Sequence, residues 1–282
     1  MKKRHLLPGF GLTLGYTVSY LCIIVIIPLS LLLFRASGLG AKEFIAAALS
    51  PRVLASYRVS ILTALAGASI NVFAGFIVAW VLTRYRFPLR KLFDALIDLP
   101  FALPTAVAGI SLAALFGPTG WIGSLLEGHG VHVINTPTGI TIALIFIGFP
   151  FVVRTIQPVF EGLAVEIEEA AESLGANRFQ IFLRVIFPTV LPALITGFTL
   201  AFARSIGEYG SVIFISGNLP MKTEITPLLI MSKLEQFDYA GAAAIATTLL
   251  AMSFLMLITI NIVQRISAKR TSVRTTIVQR IH

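Results

Sequence analysis

Length, composition and charge exclude most classes of soluble protein for this chain. It has 282 residues and a net charge of +9, and 56% of the residues are hydrophobic while only 12% are charged. That charged share is about half the share found in an ordinary soluble domain, and the mean hydropathy is +0.89. We therefore predict a protein embedded in a bilayer. The lone cysteine, Cys22, excludes an internal disulfide framework.

The first apolar segment follows three basic residues, an arrangement that is also typical of a secretory signal peptide. The run from Leu12 to Phe34 has 23 residues, which is longer than the usual core of a signal peptide, and no small-residue cleavage site clearly ends it. The sequence therefore predicts a retained first membrane helix.

Four apolar segments are strong candidates for membrane spans. Each of them is long enough to cross about 30 Å of hydrocarbon as an α-helix. They are Leu12–Phe34, Val59–Leu82, Val190–Ile215 and Ala240–Val263.

Two weaker apolar segments lie between the second and the last of these and contain prolines and charges. Such residues are tolerated in a span where neighbouring helices or a cavity satisfy the freed polar groups. We therefore expect two interior helices and an all-α membrane protein of six spans, with four spans as the fallback count. The weaker segments are Ala95–Phe116, which contains Asp98, Pro100 and Pro104, and about Gly139–Ile156, which contains Pro150 and Arg154.

The distribution of basic residues predicts the orientation of the chain. With the N-terminus inside, 15 of the 22 Lys and Arg residues lie on inner segments, six lie on outer segments and Arg204 lies within a span. The positive-inside rule then places both termini in the cytoplasm. We predict a single membrane domain over residues 1–282 with a transmembrane core at about 57–264. The basic tail, residues 265–282, is expected to be mobile or to lie on anionic lipid headgroups.

One charged segment, residues 161–188, interrupts the apolar chain on the predicted cytoplasmic side. It holds five of the 13 acidic residues. Its first half consists mostly of good helix formers, Gly175 ends that run, and an amphipathic piece leads to Pro188 and the fifth span. The pattern predicts a short helix, a glycine corner and a second helix, which suits either a solvated loop or a contact that passes force from a soluble partner to the membrane helices.

The residues of this segment resemble the loop motif of bacterial ABC importer permeases, which reads E-A-A, three residues, G, nine residues, I, one residue, L-P. The spacing matches throughout, with Val in place of Ile and Phe in place of Leu, both of them apolar. In that family the loop docks on the ATPase subunit. The matching residues are Glu169, Ala170, Ala171, Gly175, Val185, Phe187 and Pro188.

Four further stretches are similar to the T-type permease subunits of bacterial sulfate/thiosulfate importers. The resemblance covers nearly the whole chain and weakens at both ends. The sister molybdate permeases share the loop motif and the Arg–Gly–Glu–aromatic–Gly pattern near Arg204, so a permease for molybdate or another oxyanion is the alternative. The four stretches are Thr83–Gly109, Pro150–Glu161, Phe202–Asn218 and Lys222–Thr226.

The resemblance implies a type I ABC importer permease fold and a complex in the bacterial inner membrane. It implies a W-type permease subunit as the pore partner, two copies of an ATP-binding subunit and a periplasmic sulfate/thiosulfate-binding protein. ATP is then used by the partner ATPase, and this chain is expected to bind no cofactor, no metal and no nucleic acid.

Arg204 and Glu208 are candidates for a pathway or gating role. They lie four residues apart in a predicted span, and an arginine at the bilayer centre costs about 2.5–3.5 kcal/mol. Lipid exposure of this side chain is therefore disfavoured. Two hypotheses stay open: an ion pair within the helix that locks the bundle, or an arginine that faces the pathway and attracts a divalent anion.

Asp98, Pro100 and Pro104 are the second group of candidates, at the start of the third span together with Asp94. Prolines bend or interrupt a helix, and a broken helix at membrane depth usually lines a cavity. A pathway role and ordinary helix-start chemistry both fit this pattern, and we expect Asp98 at the interface. Asn71, inside the second span, is expected to form an interhelical hydrogen bond.

Motifs that the sequence lacks narrow the function classes. There is no G-x-x-x-x-G-K-[ST] run for a P-loop, and neither H-E-x-x-H nor G-x-S-x-G is present. An intramembrane enzyme therefore has no positive support. An ion-coupled secondary transporter would need acidic residues at the midplane, whereas here they cluster in one loop. His129 and His132 lack a third ligand for a metal site.

Overall fold

The computed structural model describes residues 9–279, with the side chains of residue 263 and of residues 265–279 left undescribed. Within that range the chain forms helices joined by short turns and no strand. The helices are α1 Phe10–Ser37, α2 Ala41–Ala48, α3 Pro51–Arg84, α4 Arg90–Ile97, α5 Leu99–Ala102, α6 Thr105–Phe116, α7 Gly123–Glu127, α8 Pro137–Gly162, α9 Val165–Ser173, α10 Arg178–Ile206, α11 Val212–Ile215, α12 Thr226–Glu235 and α13 Tyr239–Gln279.

Five of the described helices are long and apolar enough to cross a membrane: α1, α3, α8, α10 and the part of α13 that ends at Ile262. They correspond to five of the six predicted spans. The third predicted span is not one helix, because it is divided among α4, α5 and α6. The count of six spans and the cytoplasmic position of both termini stay predictions.

The centre of the bundle is formed by α3, α8 and α10, which approach closely because small residues line their contacts. A Cβ on Gly75 of α3 would lie 2.8 Å from a methyl carbon of Val152 in α8, and one on Gly197 of α10 would lie 3.1 Å from the Cα of the same valine. Asn71 is fully buried here and donates through Nδ2 to the carbonyl of Ile145 in α8 at 3.1 Å. This bond confirms the interhelical role predicted for Asn71.

Prolines break the third span as the sequence predicts. Pro100 lies in the first turn of α5, and Leu103 takes an extended conformation (φ −86°, ψ 135°) between α5 and α6. Pro104 then stands at the N-cap of α6, a position that needs no helical N–H donor. The interruption that the prolines predict in the segment Ala95–Phe116 is therefore present in the structure.

The fifth predicted span, Val190–Ile215, is wrong at both ends. Helix α10 begins at Arg178, so the amphipathic piece of the charged segment is continuous with the spanning helix. The junction is a π-helical turn at Phe182–Ile186, where the N–H of Phe187 donates five residues back to Phe182. Pro188, which lacks an N–H, follows at once, and this wider turn accommodates it within a continuous helix.

The last helix, α13, starts at a well-formed cap. Asp238 accepts hydrogen bonds from the backbone N–H of Gly241 and from Lys233 Nζ, both at 2.9 Å. The Lys233 ammonium and this N–H lower the pKa of the Asp238 carboxyl. The backbone of α13 stays helical to Gln279, and the expected interaction of the basic tail with lipid concerns side chains outside the described part.

Candidate functional site

The charged segment folds into helix α9 and a tight corner at Gly175. The N–H of Gly175 donates to Glu172 at 2.8 Å and the N–H of Ala176 donates to Ala171 at 3.1 Å, which together form a Schellman motif. Gly175 has φ +85°, a conformation that favours glycine over any residue with a Cβ. Ala171 and Ala176 both pack on the core at the corner. The alanine and glycine of the predicted motif are therefore explained by this local geometry.

Helix α10 begins immediately after the corner with a capping box at Asn177 and Gln180. Asn177 Oδ1 accepts from the N–H of Gln180, and Gln180 Oε1 accepts from the N–H of Asn177, both at 2.9 Å. Each side chain thus satisfies a helix-end donor that has no partner within the helix. The corner and the cap fix the angle between α9 and α10.

Large apolar side chains point outward from this segment, in contrast to its buried inner side. Leu174 is 89% exposed and Phe179 is 70% exposed. We call the outward-facing apolar set the loop face, and large exposed apolar groups of this kind mark contact surfaces in folded proteins. The loop face consists of Val165, Ile167, Leu174, Phe179 and Leu183.

Arg84, at the end of α3, holds α9 against the bundle. Its Nη2 donates to Glu168 Oε1 at 2.5 Å and to the carbonyl oxygen of Leu163 at 3.3 Å, and its guanidinium lies 5.8 Å from the ring centre of Trp80. The sequence did not reveal this contact. A basic residue that ends one span and a lone acidic helix on the same side of the membrane were the available signal.

Aromatic rings tie the same region together beneath the loop. Phe160, near the end of α8, packs edge-on against Phe76 and Trp80 of α3, with ring centres 5.4 and 5.2 Å apart. Phe182 in the π-helical turn of α10 meets Phe76 at 6.0 Å. Val185 packs against the same core. The apolar residues of the motif therefore seat the start of α10 on α3 and α8.

Arg204 and Glu208 form the ion pair that their spacing predicts, with Arg204 Nη1 and Glu208 Oε2 2.6 Å apart. The geometry differs in one respect, because α10 ends at Ile206 and Glu208 lies just beyond it. Glu208 Oε1 also accepts from the N–H and the hydroxyl of Ser211, at 2.9 and 3.0 Å. The Glu208 side chain is 3% exposed and that of Arg204 is 35% exposed.

The backbone between α10 and α11 is packed tightly against α6. A Cβ on Gly109 of α6 would collide with the carbonyl oxygen of Ser211, and one on Gly210 would collide with the side chain of Thr105. Irregular backbone at membrane depth needs partners within the protein. Here the carboxylate of Glu208 and the close approach of α6 supply them.

Asp98 lies beside Arg154 of α8, a pairing that the sequence did not reveal. Arg154 Nε and Nη2 donate to the two carboxylate oxygens of Asp98 at 2.8 and 2.6 Å, and Nη1 donates to Asp94 Oδ1 at 2.7 Å. The available signal was one unmatched basic residue in one weak span, with one acidic residue in the other and a second just before it. Pro100 lines an apolar cavity beside this cluster.

The stretch Lys222–Thr226 serves as an attachment of the α11–α12 loop to α3. The Glu224 side chain is 1% exposed and pairs with Arg52 at 2.7 Å. The N–H of Thr226 donates to Ser60 Oγ at 2.8 Å. Two hydrogen bonds from the guanidinium fix the geometry of the buried carboxylate, and this pair attaches the loop to α3.

The described residues contain no group of three His, Cys, Asp or Glu side chains that could hold a metal. His132 Nδ1 lies 3.1 Å from Glu127 Oε1, and His129 Nδ1 lies 2.9 Å from the carbonyl of Leu125. Each histidine thus has its own neighbour, and the two do not converge on one point.

Comparison with known proteins identifies the family. A model described as "Binding-protein-dependent transport system inner membrane component" matches residues 71–273. The "Sulfate transport system permease protein CysT" of Escherichia coli (strain K12) is 48% identical over 264 residues, which is 94% of this chain and 95% of the relative. The protein of the same name from Synechocystis sp. is 45% identical over 249 residues, covering 88% and 87% of the two chains.

Solved structures confirm the fold class. A bacterial ABC transporter "involved in the import of the acidic polysaccharide alginate" contains a chain that matches with a TM-score of 0.71 at 15% identity, covering 90% of this chain and 93% of that one. The MetNI methionine ABC transporter matches with a TM-score of 0.51. The fold is therefore that of ABC importer permeases.

These findings also confirm the resemblance drawn from the motifs, and the predictions of a multi-pass inner-membrane protein and a non-catalytic permease subunit. The single-domain boundaries and the roles of the individual site residues stay predictions. The chain belongs to the family of binding-protein-dependent transport system inner membrane components.

Proposed function

We propose that this chain is the permease subunit of an ATP-driven importer of sulfate and thiosulfate. The observation that carries the proposal is the 48% identity, over 94% of the chain, to a protein named as a sulfate transport permease. The segments that first suggested the resemblance are also the segments that build the loop corner, the Arg204–Glu208 pair and the Glu224 contact. The chain contributes the path for the anion, and a partner contributes the energy.

The loop at 161–188 is the proposed contact with the ATPase. Its loop face is apolar and exposed, and a permease without a P-loop needs a separate ATP-binding subunit. Arg84 joins α9 to α3, and the aromatic contacts join α3 to α8 and to the start of α10. A displacement of α9 by the partner is thereby passed to the centre of the bundle, because packed helices move as units.

Two ATP-binding subunits, a W-type permease and a periplasmic sulfate/thiosulfate-binding protein complete the proposed importer. One of the structural neighbours is a complex with an "alginate pentasaccharide-bound periplasmic protein", which supports delivery by a binding protein. Closure of the ATPases on ATP moves the two loops and opens the path outward. ATP is bound and hydrolysed by the partner, and this chain supplies no catalytic group.

Arg204 is the proposed residue on the anion path. It lies two residues before the end of a spanning helix, and its side chain is 35% exposed. Among the residues that the structure describes, one hydrogen bond, from Nη1 to Glu208, engages one of its five donors. Leu200, one turn earlier, is 44% exposed on the same face. A charge in contact with lipid costs several kcal/mol, so we assign this face to a polar path or to the second permease.

The proposed role of Glu208 is to moderate the charge of Arg204. A free guanidinium would hold a divalent anion tightly, whereas transport requires binding that is also readily released. Pairing with a buried carboxylate leaves a net neutral site with unused N–H donors. Such a site is expected to bind the anion weakly enough for it to be released along the path.

Uptake of radiolabelled sulfate tests the substrate. Cells without this gene are expected to lose the uptake and to regain it on complementation, with thiosulfate competing strongly and molybdate weakly. Unchanged sulfate uptake with loss of molybdate uptake would overturn the substrate and keep the permease assignment.

Substitution in the loop face tests the partner. Leu174→Asp is expected to abolish co-purification of the ATP-binding subunit, because it places a charge in the proposed apolar contact. The fold should be unaffected, since the side chain is 89% exposed. Trp121→Asp is the matched control, since Trp121 is 86% exposed on a different loop. Equal co-purification of both variants would contradict the proposed contact.

A further inference from the structure

Arg154 is an arginine whose hydrogen-bonding capacity is fully used within this chain. Nε donates to Asp98, Nη1 donates to Asp94 Oδ1 and to Gln157 Oε1, and Nη2 donates to Asp98 and to the backbone carbonyl of Asp94, all at 2.6–2.8 Å. All five donors of a guanidinium are then engaged. Such a fork fixes both the distance and the orientation of the groups that it joins. The contact joins α8 to α4 and to the turn before α5.

Beyond this contact, the segment packs on α8 through one aromatic pair, Phe101 of α5 and Phe151, whose rings meet edge-on with centres 5.0 Å apart. Of the residues in α4 and α5, Ile97 is the only one that is buried. Beside these contacts, an apolar cavity of about 730 Å³ lies between the segment and α3 and α8, lined by Phe93, Leu96 and Pro100 on one side and by Val81 and Phe149 on the other. An extended break at Leu103 then separates α5 from α6. A segment with space beneath it and a break after it is able to move as a unit.

The Arg154 contact lies on the same helix that leads into the loop. Arg154 is eight residues before the end of α8 at Gly162, a distance of about 12 Å along the helix axis. Gln157, on the same side, accepts from Arg154, donates to Asp94 and lies 3.4 Å from Glu161 Oε1. A polar row therefore runs along α8 from the third span to the start of the 161–188 loop.

We propose that Arg154, Asp94 and Asp98 are positioning residues that carry the movement of the 161–188 loop to the broken third span. The inference rests on the proposed function, because it takes the ATPase as the source of that movement. When α8 shifts with α9, the fork of Arg154 pulls α4 and α5 with it. Without the fork, only the apolar contact of Phe101 with Phe151 joins α5 to α8. Such a contact slides more easily than a guanidinium held by five hydrogen bonds, so the third span no longer follows α8.

The charge of this cluster separates its role from that of Arg204. One guanidinium and two carboxylates give the cluster a formal charge of −1 at neutral pH, and every donor of Arg154 is already occupied. A divalent anion would find no free donor here and would be repelled by both carboxylates. The cluster is therefore a mechanical contact and lies outside the anion path.

The test uses the complete importer, with both permeases, the ATP-binding subunits and the binding protein, in proteoliposomes. Arg154→Gln removes the charge and the fork, Asp98→Asn removes one charge at constant shape, and Lys91→Gln is the matched control, an exposed charge on α4. The readouts are ATP hydrolysis stimulated by the sulfate-loaded binding protein and the sulfate taken up per ATP hydrolysed.

We expect Arg154→Gln and Asp98→Asn to retain assembly and ATP hydrolysis within about twofold of the wild type and to lower uptake per ATP at least tenfold. Arg154→Lys keeps the charge without the fork, and its uptake per ATP is expected to lie between the values for the wild type and for Arg154→Gln. Lys91→Gln is expected to match the wild type. If Arg154→Gln does not assemble, the uptake per ATP measured for Asp98→Asn tests the inference.

Two failures are distinguishable. Wild-type complex that takes up no sulfate overturns the proposed function, and the inference with it. Wild-type uptake together with an unchanged ratio in Arg154→Gln or Asp98→Asn overturns the inference alone. A parallel fall of hydrolysis and uptake, at a constant ratio, also overturns it, because that is the effect of a purely structural contact.

Discussion

Arg154 in α8 and Arg204 in α10 have nearly equal exposure and very different surroundings. Their side chains are 30% and 35% exposed. Arg154 makes five hydrogen bonds to groups on α8 and on the third span, whereas Arg204 makes one within the described part of the chain, to Glu208. Exposure alone would treat the two residues as equivalent. The number of engaged donors separates a residue that joins two elements from a residue that has donors left for a ligand.

The acidic partners of the two arginines, unlike the arginines themselves, differ strongly in exposure. Glu208 is 3% exposed, while the side chains of Asp94 and Asp98 are 40% and 48% exposed. Removal of a buried charged partner is costly, because the remaining groups lose their partners in a medium of low dielectric constant. Water replaces a partially exposed partner at lower cost. Stability at the Arg204 site therefore depends on the acid, and stability at the Arg154 site depends on the arginine.

The largest effect is expected for Glu208→Ala. Its carboxylate accepts from Arg204 and from both donors of Ser211, and the substitution leaves three donors without an acceptor. We expect a loss of about 3–5 kcal/mol in the free energy of unfolding, measured as thermal unfolding in detergent. Glu208→Gln, which keeps an acceptor oxygen, should lose less. An unchanged free energy of unfolding in Glu208→Ala would contradict the structural importance of the acid.

The exchange of each arginine for lysine is the sharpest test of the comparison. An ammonium has three donors and no planar fork. Arg154→Lys must therefore give up at least two of its bonds and is expected to cost about 2 kcal/mol. Arg204→Lys preserves the single ion pair and should cost less than about 1 kcal/mol. Equal losses in paired unfolding measurements would show that the number of engaged donors is not decisive.

A smaller difference is expected between the two aspartates. Asp98 receives both of its bonds on the carboxylate, whereas one of the bonds to Asp94 falls on its backbone carbonyl and survives substitution. Asp98→Asn is therefore expected to cost about 1 kcal/mol and Asp94→Asn a few tenths, after allowance for solvent screening. The same unfolding assay compares the two losses. A larger loss for Asp94→Asn than for Asp98→Asn would show that Asp94, and not Asp98, makes the main contact with Arg154.

Local signals explain how much of the loop was predictable. The glycine corner depends on one residue with positive φ and on bonds that span five residues or fewer, and the cap at Asn177 depends on Gln180 three positions later. The Arg204–Glu208 pair was predictable for the same reason. The end of α10 at Ile206 was missed, because the predicted span was drawn through the short polar stretch 207–211 to the apolar residues 212–215, and glycine is a weak stop signal in a span.

Long-range pairing explains what was missed. Arg154 and Asp98 are 56 residues apart, and Arg52 and Glu224 are 172 apart. Hydropathy places each charge in or near a span without naming its partner, since the approach of two spans depends on packing across the whole bundle. The predicted break of the third span was correct, because proline acts on its own helix. The helix to which the broken span attaches depends on the packing of the whole bundle, so the sequence did not predict it.

The last prediction compares two buried hydroxyl groups, that of Ser211, which donates a hydrogen bond, and that of Ser205, which does not. The hydroxyl of Ser211 is buried and donates to Glu208 at 3.0 Å, while the hydroxyl of Ser205 is buried without a partner among the described residues. Ser211→Ala removes a bond to a charged acceptor and is expected to cost about 1 kcal/mol. Ser205→Ala removes a group that is desolvated without compensation, and the free energy of unfolding should stay equal or rise. A similar loss in both variants would mean that packing at these serines, and not their hydrogen bonding, stabilises the site around Arg204.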